Sequence, residues 1–287
     1  LSIGQYSSGK QLPVFPGQDE FKGDIITERE VSDLSVFDGK KALVVGFGKS
    51  ALDMATFAVE QASEVHHLFR TPRWMVPFRI LGVHYSRLLF CRMGTFLMPS
   101  WVQPNAVEAF IHRNLGFLVR SNWRLVQSIV RLQKYLLGVG KSTAVKDRLA
   151  SRTPKHDIVS DFRSASAMQP QMYLKHIANE RLVPHQGELQ AFTESGVVLE
   201  NGRTIDCDLA VLSLGSGSPT FPFLPEKYRQ LLESEPDGVQ LYRHLVHPDI
   251  PRLAFAGFNH GFMHVPAVEV GMLWLSAVLT GDLTLPD

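Results

Sequence analysis

The sequence predicts an α/β fold with a parallel sheet, and three observations carry the prediction. First, Ala42-Leu-Val-Val45 is a short apolar, β-branched run; Gly46-Phe-Gly-Lys-Ser-Ala51 follows it, and residues 52–62 carry helical periodicity. Residues 65–69 then form a second strand, so that strand, glycine turn, helix and strand make one βαβ unit. Second, the stretch from about 77 to 140 turns helical and is too long for an ordinary loop. Third, strands return afterwards: residues 190–193 and 196–199 flank Glu194-Ser195 as a hairpin, and Asn201-Gly202 is a turn signal. Residues 209–214 read as a buried strand ending in Gly215, and residues 253–256 as another ending in Gly257. Pro266 opens a segment, 267–279, that is apolar nearly all round, which predicts a buried helix.

Composition narrows the function classes. A chain of 287 residues with 45% hydrophobic and 20% charged residues can bury a sizeable core and is not disordered. Its net charge of +1 leaves no electrostatic footprint for nucleic acid. Two cysteines, Cys91 and Cys207, exclude a disulfide framework and point to a reducing, cytoplasmic setting. The most apolar stretch, 74–101, is interrupted by Arg79, Arg87 and Arg92 and does not read as a transmembrane segment. Residues 121–137 place Trp123, Val126, Ile129, Val130 and Leu137 on one side, against Arg124, Gln127, Arg131 and Lys134. A surface helix packed on its own domain is the first reading; weak association with an anionic membrane surface is the second.

The glycine turn carries the chemistry. Gly46 permits the tight turn, and Gly48 lets the backbone approach a pyrophosphate without a Cβ in the way. The helix beginning near Lys49 and Ser50 offers free N–H groups and a positive dipole end, and Ala51 is small enough for close helix–strand packing. Arg70 stands 70 − 48 = 22 positions beyond Gly48, at the end of the second strand, where a cation accommodates a 2′-phosphate. The Thr71 hydroxyl adds a second donor. NADPH is therefore expected in preference to NADH. Other constellations fall short. His260 and His264 have i, i+4 spacing without the glutamate of a zinc helix, and Gly215-Ser-Gly-Ser218 lacks the spacing of a nucleophile elbow. His66 and His67 alternate across a strand, one toward the core and one toward solvent.

Taken in order, these landmarks resemble the flavin-containing monooxygenase family. Gly46 to Ala51 is similar to its G-x-G-x-S-A, and Arg70-Thr-Pro-Arg-Trp74 to its R-T-P-x-W. Leu1-Ser-Ile-Gly4 with Pro13-Val-Phe-Pro-Gly17 resembles the A-T-G crossing and the P-x-x-P-G stretch after it. Phe21-Lys-Gly23 resembles the start of F-x-G-x-x-x-H-S, although Thr27 and Glu28 replace the histidine and serine. Residues 208–215 sit where the second crossing belongs, reading Ser213-Leu214-Gly215; Leu241-Tyr-Arg-His244, 253–257 and Pro266-x-x-Glu269 resemble the closing flavin-domain segment. After Glu269 the usual glutamine and arginine are Gly271 and Leu273.

The resemblance implies two nested Rossmann-like dinucleotide-binding domains. Residues 34–206 would form the NADPH-binding domain with a helical insertion at about 77–140; residues 1–33 and 207–287 would belong to the FAD domain. It implies FAD and NADPH as cofactors, and a small-molecule substrate and molecular oxygen as partners. Its reaction is oxygenation of soft nitrogen or sulfur centres, such as N,N-dimethylaniline, through a C4a-hydroperoxyflavin. Gly4, Gly215, Asn259, Val265 and Pro266 would then lie by the FAD; no catalytic side chain is implied. Baeyer–Villiger oxygenation of ketones and a non-catalytic NADPH-binding fragment are the alternatives. The family's FAD-binding G-x-G-x-x-G unit is not among these residues, so the chain reads as a C-terminal fragment that does not hold FAD or turn over alone.

Overall fold

The computed structural model describes residues 1–2, 12–98, 105–162, 167–215, 217–235, 238–258 and 264–284. Its first compact unit, residues 12–214, is built on a five-stranded sheet in the order β1-β12-β2-β3-β8. β1 is Asp24–Thr27, β2 is Lys41–Val45, β3 is Glu64–Phe69, β8 is Val183–Gln186 and β12 is Leu209–Leu212, all parallel. Between β2 and β3 runs α1 (Lys49–Gln61), so the expected βαβ unit is present. β2 alternates faces: Ala42 and Val44 pack under α1 and α8 (Tyr173–Ala178), while Leu43 and Val45 face the other way. That second face is covered by an antiparallel meander of β9 (Leu189–Thr193), β10 (Gly196–Leu199) and β11 (Thr204–Asp206), with Gly196 opposite Thr193 as the hairpin requires. Phe21, Phe192, Val197 and Leu199 fill the space between the layers.

The expected boundaries at 33/34 and 206/207 are displaced. β1 and β12 complete the same sheet as β2 and β3, and the compact units are residues 12–214 and residues 1–11 with 215–287. The cause is legible in β12: all four of its residues are fully buried, which requires a neighbour on each edge and a layer on each face. β1 and β2 supply the edges.

The stretch expected to be helical contains short strands first: β4 (Met75–Pro77), paired in parallel with β7 (Ala167–Gln169), and the β5–β6 hairpin (Arg79–Ile80, Val83–His84). Helices α2 (Tyr85–Leu89), α3 (Arg92–Phe96), α4 (Ala106–Asn114), α5 (Gly116–Leu137), α6 (Thr143–Ala150) and α7 (Ile158–Phe162) follow. Asn105 caps α4 with a full capping box to Glu108. On α5 the buried stripe is Val119, Trp123, Gln127, Val130 and Lys134, which corrects the polar side assigned to Gln127 and Lys134. Both are buried because their polar ends are bonded inside: Gln127 Oε1 accepts from the Ile158 N–H at 3.0 Å, and Lys134 Nζ donates to the Arg152 carbonyl at 2.9 Å. Leu125 and Leu132 are exposed instead. No helix of the described residues is long and apolar enough to cross a membrane.

In the second unit, α9 (Glu226–Glu233) and α10 (His264–Leu279) accompany a small core of Phe221, Leu232, Ile250, Phe255 and Phe258. The strand expected at 253–256 is reduced to single bridges. Ala254 pairs with Val246, and Leu1 exchanges backbone hydrogen bonds with Ala254 and Ala256 at 2.7 and 2.8 Å. Left-handed backbone at Arg243, His244 and Arg252 interrupts the extended runs on either side. α10 is not buried as expected: no residue of it is buried, and Val265, Val270, Leu273 and Leu279 are exposed. A helix apolar on every side needs neighbours on every side. Within its own unit this one packs where Gly271 meets the Leu245 side chain and where Trp274 meets the Tyr242 ring.

Candidate dinucleotide site

The carboxyl ends of β2 and β12 mark the point where the strand order reverses, since the chain leaves β2 for β3 on one side while β12 lies on the other. Open α/β sheets bind ligands in the crevice at such a point. Gly46 occupies it with φ of 131°, a conformation that favours glycine, and its N–H is held by the Leu68 carbonyl at 2.9 Å. A Cβ there would stand 2.3 Å from the Ser213 carbonyl oxygen and 3.3 Å from the Ala51 Cβ. Ala51 is fully buried against the turn, as its small size predicts.

Gly48 behaves differently. Its φ is −76°, and a Cβ would meet nothing within 4 Å. No clash with the described residues demands glycine; among them the side chain would project into open space above the turn. Gly48 is also the N-cap of α1, and no side chain caps that end. The first amides of a 13-residue helix, including those of Lys49, Ser50 and Ala51, thus start at the turn without a side-chain acceptor. The Lys49 ammonium is paired with Asp53 one turn on, and Ser50 is exposed. Arg70 follows the end of β3 with its side chain 76% exposed and only a loose ion pair to Glu188, at 3.5 Å. Thr71 beside it is exposed as well. An open cradle over Gly48, uncapped amides and a reachable guanidinium fit the phosphates of a dinucleotide.

Beneath the turn lies a polar cluster that periodicity did not reveal. His67 is fully buried, with Nε2 2.7 Å from the Gly46 carbonyl oxygen and Nδ1 2.7 Å from the Tyr173 hydroxyl. Burial, and then the nearby Arg152 charge, hold His67 well below its ordinary pKa, so the ring is neutral and carries one N–H. A carbonyl oxygen only accepts; that proton therefore sits on Nε2, and Nδ1 accepts from the Tyr173 O–H. Burial raises the Tyr173 phenol far above its usual value, which keeps that proton in place. Tyr173→Phe leaves a buried acceptor unpaired and should cost about 1–3 kcal/mol in urea unfolding; an unchanged unfolding midpoint would show that the His67–Tyr173 bond contributes nothing.

Arg152 completes the cluster. It is 2% exposed, with its guanidinium carbon 4.0 Å from the Phe47 ring centroid, 3.8 Å from Phe69 and 5.1 Å from Tyr173. Its three side-chain nitrogens make no hydrogen bond among the described residues. Burial lowers its pKa to about 10, with the Tyr173 oxygen acting in the opposite sense, so it stays charged at neutral pH. Of the two alternating histidines His67 is the core one, and His66 is half-buried against His185 rather than open to solvent, with its Nδ1 2.9 Å from His185 Nε2. Burial, then His66, push His185 down to about 3. No cluster suited to a metal exists among the described residues.

Of the residues expected by FAD, Gly4 and Asn259 lie outside the described residues, as does His260. Gly215 has φ of 92° and a Cβ there would meet none of the described residues within 4 Å, and Val265 and Pro266 are exposed in the first turn of α10, which begins at His264. These three belong to the second unit, whereas Gly46, Gly48, Lys49, Ser50, Ala51, Arg70 and Thr71 belong to the first.

A glycine turn before an uncapped helix, at the switch point of a parallel sheet, is the arrangement on which open α/β folds bind dinucleotides. The family described as "Flavin-binding monooxygenase-like" matches residues 5–134. The chain is 27% identical over 305 residues to "Probable flavin-containing monooxygenase 1" of Arabidopsis thaliana, covering 100% of this chain and 55% of that protein. It is 25% identical over 286 residues to "Flavin-containing monooxygenase 3" of Homo sapiens, covering 95% and 46%. The chain thus spans about half the length of these curated relatives. Among solved structures, an open form of cyclohexanone monooxygenase superposes with a TM-score of 0.65 at 15% identity, covering 97% of this chain and 61% of that one. A structure titled "OTEMO complex with FAD and NADP (form 3)" gives 0.62 at 16%, covering 97% and 61%. Along its length the chain is thus similar to flavin-containing monooxygenases.

Proposed function

We propose that this chain supplies the NADPH-binding unit of an FAD- and NADPH-dependent monooxygenase that oxygenates soft nitrogen or sulfur centres of small molecules. The observation that carries the reading is the pairing of an open cradle over Gly48 with the uncapped start of α1. Gly46 shapes the turn, Gly48 leaves room, the first amides of α1 meet phosphate, and Arg70 and Thr71 select the 2′-phosphate. When bound, the flavin supplies the oxygen-activating redox chemistry; the protein binds, orients and excludes water. Gly215, Val265 and Pro266 are the described candidates for the flavin side, joined by Gly4 and Asn259.

Nitrogen or sulfur oxygenation is favoured over Baeyer–Villiger insertion by sequence identity, which is 27% and 25% to the flavin-containing monooxygenases against 15% to the cyclohexanone monooxygenase fold neighbour. Arg70 provides the test of the cofactor. Losing a charge-assisted phosphate contact costs about 1.5–3 kcal/mol. Arg70→Ala should therefore weaken NADPH at least tenfold in a fluorescence titration while NADH changes little. Equal losses for both nucleotides would remove the basis for choosing NADPH.

A further inference from the structure

Arg152 is a cation in the wrong place for stability. A guanidinium that is 2% exposed, with no carboxylate among the described residues and the Tyr173 oxygen as the neighbour that favours its charge, is an arrangement that folding alone does not favour. Its neighbours explain where it acts. Phe47 is the residue between Gly46 and Gly48, and Phe69 immediately precedes Arg70, so one guanidinium face-packs on both arms of the cradle, at 4.0 and 3.8 Å. Phe47 and Phe69 also meet each other with centroids 5.1 Å apart, and His67, bonded to the Gly46 carbonyl, borders the same group. The arginine is itself anchored from behind, because its carbonyl accepts the Lys134 ammonium of α5 at 2.9 Å.

We propose that Arg152 is a positioning residue for the bound dinucleotide, a buried cation that clamps the glycine turn to the end of β3 and whose uncompensated charge favours the dinucleotide's phosphates. The inference rests on the dinucleotide reading of the Gly46 turn. Arg152 does not touch the ligand; its nitrogens are sealed beneath the aromatic rings. It acts through Phe47 and Phe69 on the spacing between the amides of α1 and Arg70, and through its field on the anion those groups hold. Nothing in the sequence marks it, since it lies in the irregular Arg152-Thr-Pro segment between α6 and α7.

The test exploits opposite expectations for stability and binding. Arg152→Met keeps an unbranched chain of similar length and removes the charge; Arg152→Lys keeps the charge and loses the planar stack. Exchange of a buried, unpaired ion for an apolar chain is commonly neutral or stabilising. Arg152→Met should unfold at the same temperature as the wild type or higher, yet bind NADPH about tenfold more weakly and with a shallower salt dependence. Arg152→Lys should recover part of the affinity and the salt slope. A merely structural role predicts the reverse, a lower unfolding temperature with unchanged affinity, and that result would overturn the proposal. Should Arg152→Met fail to fold, Phe47→Leu decides: a severalfold loss of NADPH affinity supports the clamp, and an unchanged affinity removes it. Wild-type protein that binds no NADPH at all would defeat the dinucleotide reading itself, which is distinguishable from a variant that binds as the wild type does.

Discussion

Gly46→Ala and Gly48→Ala should separate structure from binding within one turn. At Gly46 the added Cβ would stand 2.3 Å from the backbone carbonyl of Ser213, just past the end of β12, in a residue with φ of 131°. Neither atom can yield without moving β2 against β12, so Gly46→Ala should lose about 3 kcal/mol or more of stability and unfold several degrees lower. At Gly48 φ is already compatible with alanine, and the Cβ meets nothing within 4 Å. Gly48→Ala should be as stable as the wild type, or slightly more so because the unfolded chain loses freedom. Its cost should appear only with ligand, as a methyl group placed in the open cradle, and NADPH should bind at least tenfold more weakly. Thermal melts with and without NADPH read both effects. A Gly48→Ala protein that is equally stable and binds normally would leave the cradle without a ligand.

Lys134 should make stability depend on alkaline pH. Burial, then the charges of Arg152 and Arg131, bring its pKa from 10.5 down to about 7 in the folded chain. Between these values the unfolded state holds a proton that the folded state has released, so stability rises with pH across that interval. Cys207 acts in the opposite sense above its usual value of 9.0, because burial and its acidic neighbours raise it to about 12. The clean window is therefore pH 7 to 9. There the wild type should gain roughly 2–3 kcal/mol, as measured by urea unfolding, and Lys134→Met should gain little. A wild type whose unfolding midpoint stays flat over that window would mean that Lys134 keeps its proton, held by the Trp74 ring 5.4 Å away and the Arg152 carbonyl.

Much of the first unit is legible in the sequence because each step of its βαβ motif has a local cause. The run from Ala42 to Val45, the Gly46 turn and the apolar face of α1 each specify their own conformation, and Asn201-Gly202 closes its hairpin unaided. Sheet membership is another matter. β1 and β12 read as strands from local pattern, but which sheet they join depends on partners 185 and 167 positions away, Leu209 opposite Asp24 and Ala42. Lys134 and Gln127 defeat hydropathy because one internal acceptor and one internal donor reverse their preference. Arg152 is invisible for the same reason, in that only the folded chain brings Phe47, Phe69 and Tyr173 around it. α10 fails the opposite way: its uniform apolarity predicts burial, whereas the described residues of its own unit cover only part of it.

The central claim is that the start of α1, with Gly48 and Arg70, holds the phosphates of NADP(H). The most direct measurement is a titration of the isotope-labelled chain with NADP⁺ and with NAD⁺, followed at the backbone amides. The account predicts that the largest shifts fall on Gly46 to Ala51 and on Arg70 and Thr71, and that NAD⁺ needs a markedly higher concentration to produce them. Shifts confined to the β9–β11 meander, or equal responses to the two nucleotides, would contradict it.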